Sequence, residues 1–225
     1  MKTPRILASL ALGASLLFPA AAIAGDITST LQTDTSGTLP AGLTIEAVTG
    51  KAKPAKGSTK ETRTVERVMT WDEDDGKHAA VFAVLTKEGQ KDEELWTSKT
   101  LYVTTFHVVG DVYKEVLVIR ELVNPCNLDI EARFLPGTAT LTNLDDDGQA
   151  ELTFGYQTRC AGDVSPSTKK VLMLEGKQRY ALRGNSKITL PGGIVEGGDY
   201  KPDFKKAPAA FKEHAIRIWA TNDAR

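Results

Sequence analysis

The sequence predicts a mainly β fold, an antiparallel meander or sandwich-like sheet closed by one C-terminal amphipathic helix. Three observations lead there. From residue 63 onward short apolar runs alternate with turn residues, as in antiparallel sheet. No helical period lies between those runs, which argues against an α/β arrangement. Only in the last stretch do Phe211, Ala215, Ile218 and Trp219 fall at spacings that share one helix face.

Residues 1–24 read as a cleavable signal peptide. Lys2 and Arg5 precede an apolar run over 6–18, and Ala22-Ile23-Ala24 offers small residues at the cut. That run is about 13 residues, whereas a spanning helix takes on the order of 20, so no membrane span is expected after cleavage. The 28 Lys and Arg, less Lys2 and Arg5, stand at 26 against 29 Asp and Glu, a net charge of −3. Such a balance gives no bulk attraction for nucleic acid or an anionic membrane. The expected location is periplasmic or secreted.

Residues 25–62 form a flexible N-terminal segment, rich in Thr, Ser, Gly, Ala and Lys, with breakers and basic residues over 50–58. Within it, 43–48 reads as one edge strand. Residues 63–225 are the β-rich domain. Its first strand covers 64–71 and turns at Asp74-Asp75-Gly76. The second, 78–86, has apolar residues on both faces and reads as a central strand covered on both sides. Strands over 97–109 and 112–122 flank Gly110-Asp111 as a hairpin. Further strands fall at 138–142, 151–159, 170–174 and 178–182, the last two joined by Glu175-Gly176-Lys177, and a helix at 209–220 follows Pro208.

Cys126 and Cys160 are the only cysteines, and an even number in an oxidising compartment predicts a disulfide between them. The most informative chemistry lies in the run from Asn143 to Glu151. Asn143, Asp145, Asp147 and Glu151 place oxygens at positions 1, 3, 5 and 9, Gly148 allows the reversal at 6, and the Gln149 carbonyl adds a ligand. Many hard oxygens in a flexible loop suit Ca2+. The alternative is an acidic turn without metal. Phe154 stands at position 12, where an EF-hand carries Glu, so the loop is not an EF-hand. It resembles instead the calcium loop of FG-GAP or VCBS repeats, with Asn in place of the first Asp and Glu in place of the last.

Arg159, Asp163 and Ser165 offer a polar binding rim beside the disulfide, or simply a turn before Pro166. The acidic stretch 72–76 reads as a hairpin turn. His78, His107 and His214 are separated too widely for a ligand motif, and each reads as an ordinary strand or helix residue. No nucleophile elbow, zincin motif or phosphate loop is present in the sequence.

The runs LDDDGQAELTFGY at 144–156, CAGDVSP at 160–166 and KQRYALRG at 177–184 resemble a family of exported bacterial surface polysaccharide biosynthesis proteins. The resemblance spans about residues 63–220 and implies an envelope location without implying a reaction. Together these readings favour a non-enzymatic envelope protein that binds carbohydrate or a protein partner. An envelope enzyme with paired carboxylates and a structural subunit of an export or assembly machine are the alternatives.

Overall fold

The structure is a computed structural model that describes residues 32–34, 37–51 and 58–221. The signal-peptide reading of 1–24 therefore lies outside the described residues, as does most of the basic stretch 50–58. Among the described residues no helix is long and apolar enough to cross a membrane.

Two antiparallel sheets pack face to face, each covered on its outer side by a further element. The first sheet has the order β1-β2-β3-β4-β5, from β1 (Gln32–Asp34), β2 (Ser58–Glu73), β3 (Gly76–Lys91), β4 (Glu94–Val109) and β5 (Val112–Cys126). Its last four strands are a meander of 15- and 16-residue strands joined by two-residue turns. The second sheet contains β6 (Asp129–Phe134), β7 (Thr140–Thr142), β8 (Glu151–Ala161), β9 (Thr168–Glu175), β10 (Gln178–Asn185) and β13 (Tyr200–Asp203). Its order is β13-β10-β9-β8-β6, with β7 also paired to β8. A separate ribbon joins β11 (Ile188–Thr189) to β12 (Val195–Glu196).

Side-chain alternation builds this architecture. Along β3, Ala80, Phe82 and Val84 face the second sheet, where they meet Leu152, Phe154 and Leu172. The intervening Ala79, Val81, Ala83 and Leu85 point the other way into a second cluster with Leu43 and Val48. The strand expected to be covered on both sides is thus covered on both sides. Phe82 sits edge-on to Phe134 at 5.2 Å and to Phe154 at 5.3 Å between ring centres, the arrangement aromatic quadrupoles favour. On β2, Met69 and Trp71 face the inter-sheet core while Val65 packs outward, because a bulge between Val65 and Arg67 reverses the alternation.

Residues 43–48, expected as an edge strand, instead run into a short helix, α1 (Ile45–Thr49), laid on the outer face of the first sheet. Thr44 caps it by accepting from the Ala47 amide at 3.3 Å. A run this short does not reveal its period, and the edge-strand position belongs to β1, which pairs with β2.

The C-terminal helix α2 (Ala209–Ala220) occupies the residues the spacing predicts and buries Phe211, Ala215, Ile218 and Trp219 against the second sheet. Lys169, fully buried on β9, donates from Nζ to the Trp219 carbonyl at 2.7 Å and lies 4.7 Å from the Trp219 ring centre. An ammonium there answers both the negative end of the helix and the ring face. Where β10 meets β13, Gly184 is needed because a Cβ would fall 1.8 Å from the Asp199 carbonyl oxygen. The Cys126–Cys160 disulfide forms with a Cα separation of 5.9 Å, tying the end of β5 in one sheet to β8 in the other.

Candidate functional site

The loop between β7 and β8 gathers carboxylates, though not in the set its spacing implies. Asp146 at φ 59° and Gly148 at φ 85° reverse the chain. Asp147 is then held by Gln149, whose amide donates to Oδ1 at 2.8 Å and whose side chain donates to Oδ2 at 3.0 Å. Oxygens of Asp145, Asp147 and Glu175 lie within 4.8 Å of one another. Glu151 turns beneath the loop, where both its oxygens accept from the Leu144 amide at 3.0–3.1 Å and one accepts from Thr142 Oγ1 at 2.7 Å.

Glu175 was invisible as a partner because it comes from the next strand, directly opposite Glu151 in the β8–β9 register. Like charges facing across strands oppose pairing. Burial raises the Glu151 carboxyl from its ordinary 4.5 to about 7; the Thr142 and Leu144 hydrogen bonds pull it down, and Asp145 and Glu175 push it further up. Burial likewise raises Glu175, with Asp145, Asp147 and Glu73 adding to the effect. Asn143 Oδ1 and Glu175 Oε1 are both buried oxygens without a hydrogen-bond partner. Unsatisfied acceptors beside clustered negative charge fit a hard cation. Asp145, Asp147 and Glu175 would hold it, with Asn143 nearby, while Glu151 shapes the loop.

The other sequence candidates resolve differently. Arg159 donates to the carbonyls of Asp163 at 3.1 Å and Ser165 at 2.9 Å, and Ser165 Oγ donates to Asp163 Oδ1 at 2.8 Å. These three residues thus close a turn on themselves. The 72–76 stretch is a hairpin turn with Asp74 and Asp75 at its tip. His214 is buried on α2 at 3.1 Å from Thr140 Oγ1, and burial, with Arg217 adding, lowers its proton affinity.

A groove of about 790 Å³ opens on the outer face of the first sheet, beside α1. Strand alternation produces it. Ser98, Thr100 and Tyr102 on β4 and Val118, Arg120 and Leu122 on β5 share this face, by the pairing of Tyr102 with Arg120 and Thr100 with Leu122. Trp96 and Pro125 line it and also line an adjoining hollow of about 540 Å³ at the tip of the β3–β4 hairpin. The floor thus combines aromatic rings and aliphatic carbon with hydroxyls, and Arg120 and Glu115 stand among the charged groups of the lining. Strand alternation predicts which residues share this face, but only the packing of α1 against it makes a groove. No family model, curated protein or solved structure matches the chain.

Proposed function

We propose that this protein is an exported envelope binding or accessory protein that holds an extended carbohydrate in the groove on the outer face of the first sheet, with a calcium ion stabilising the loop between β7 and β8. The groove carries this reading. Sugar rings present aliphatic C–H faces and a rim of hydroxyls, and such ligands suit aromatic faces flanked by polar groups. Trp96 supplies the open ring face above a floor formed by the largely buried Tyr102, while the exposed Glu115 and Arg120 supply polar groups around it. The Cys126–Cys160 bond is compatible with an oxidising compartment. The raised Glu151 carboxyl is spent on the Leu144 amide beneath the loop, so it does not favour a carboxylate-pair enzyme.

Intrinsic fluorescence tests the proposal, because Trp71 and Trp219 are buried at 6% and 2% exposure while Trp96 lies partly open in the groove. Titration with a polyuronate and with a neutral β-glucan is expected to give a saturable change with at least one of them. The Trp96→Ala variant, which lacks the reporting ring and is followed by calorimetry instead, is expected to bind about tenfold more weakly, roughly 1.4 kcal/mol, with its melting temperature unchanged. Saturable binding that Trp96→Ala leaves intact would place the ligand elsewhere, and cleavage of either glycan would favour the enzyme reading.

A further inference from the structure

We infer that His78, His107 and Asp75 form a binding site for a divalent transition ion, of which Zn2+ is the best chemical match, at the open end between the two sheets. The two histidines stand 29 positions apart in sequence, yet the β3–β4 register sets them directly opposite one another. Trp71 is the β2 partner of His78, so the three rings form a cross-strand stack, with 5.6 Å between Trp71 and His78 and 4.9 Å between His78 and His107.

Both imidazoles aim the same nitrogen at the same residue. His78 Nε2 lies 2.7 Å from Asp75 Oδ1, and His107 Nε2 lies 3.0 Å from the Asp75 carbonyl oxygen. One nitrogen from each histidine and one Asp75 carboxylate oxygen fall within 4.8 Å of one another. Tetrahedral Zn2+ with bonds of about 2.0–2.2 Å needs its ligands roughly 3.3 Å apart. Asp75 can follow that contraction because its side chain is 64% exposed at the tip of the turn. Gly76 keeps the space open, since a Cβ there would stand 3.1 Å from His107 Nε2.

Glu73 completes the charge balance. Its Oε1 is fixed by donors from Trp71 Nε1 at 2.7 Å and the Ala150 amide at 3.0 Å, and its Oε2 lies 3.5 Å from His78 Nε2. Two neutral imidazoles with two carboxylates match a doubly charged ion. Imidazole nitrogen selects Zn2+, Cu2+ or Ni2+ over the oxygen-seeking Ca2+, so this site and the acidic loop differ in the metal they take. Through Ala150, which directly follows the acidic loop's Gln149, Glu73 also links the hairpin turn to that loop. The ion would therefore clasp β2, β3 and β4 at the end of the sandwich where the acidic loop lies.

Zinc titration by calorimetry, with millimolar Ca2+ present to occupy the oxygen loop, tests the site on the full chain. The expected result is one Zn2+ per chain, unaffected by Asp145→Ala with Asp147→Ala. His107→Ala or His78→Ala is expected to weaken binding by at least the roughly 10- to 100-fold that even outer-shell changes cause. Imidazole NMR signals of the unaltered protein provide a second readout that needs no variant: Zn2+ should shift His78 and His107 and leave His214 in place. Absence of zinc uptake, uptake that the histidine variants do not weaken, or shifts that spare His78 and His107 would each overturn the assignment.

Discussion

Replacing both Cys126 and Cys160 with serine is expected to lower folding stability by about 3 to 4 kcal/mol. The bond spans a separation of 34 residues, and closing a loop of that length restricts the unfolded chain by about this amount in the chain-entropy description. Its position adds a structural reason. The meander of the first sheet ends at Cys126, and the next strand, β6, already belongs to the second sheet, so the disulfide pins the crossover point to β8. Urea unfolding should show a lower midpoint and a steeper dependence on denaturant, because the unlinked chain exposes more surface when unfolded. An unchanged midpoint would mean that the packed sheets hold the crossover without the covalent link.

The second large effect comes from Glu151 and runs against the usual behaviour of carboxylates. Its carboxyl is raised in the folded protein from 4.5 to about 7, so between those values the folded state binds more protons than the unfolded chain. Stability contributed by this group is therefore fully present below about 4.5 and is lost as pH rises toward 7 and past it. A shift of this size corresponds to roughly 3 kcal/mol. In calcium-free buffer the protein should become more stable on mild acidification from pH 7.5 to pH 5, and Glu151→Gln should remove most of that gain.

Calcium should act in the opposite direction. A cation at Asp145, Asp147 and Glu175 offsets the negative charge that helps raise Glu151, so millimolar Ca2+ is expected to flatten the pH slope. It should also add about 1–2 kcal/mol at neutral pH if the loop has an extracellular-type affinity. Asp145→Ala with Asp147→Ala should abolish the calcium response. Melting curves that ignore calcium and chelator alike would reduce 143–151 to an acidic turn.

Much of this fold was legible because its strands obey a period of two. Strand β3 shows apolar residues on both faces, and the structure gives it a core on each side. Helix α2 announced itself through Phe211, Ala215, Ile218 and Trp219. Strand ends were harder, because the strands expected over 78–86 and 97–109 run on, largely polar, to Lys91 and from Glu94 as the solvated tips of two long strands. The turn there uses Asp92 and Glu93 at φ 50° and 69°, without the glycine that normally marks such a turn. Strand β6 was missed although Ile130, Ala132 and Phe134 alternate with charged neighbours, a signal shortened by the breakers around it.

The sites were less legible for a different physical reason. Asp145 and Asp147 are local, so loop spacing finds them. Glu175 and the His78–His107 pair arise only from strand register, which places residues distant in sequence side by side. Glu151 has the right spacing for an outward ligand, but Leu144 and Thr142 offer donors beneath the loop and draw its carboxylate inward.

Residue-resolved NMR of the protein during titration with the glycan that changes Trp96 fluorescence tests the central claim most directly. Signals of Trp96, Ser98, Thr100, Tyr102, Arg120 and Leu122 should shift together and saturate at one concentration, while those of the 159–165 turn stay fixed. Shifts concentrated at that turn, or at the second sheet and α2, would contradict the assignment of the groove as the binding face.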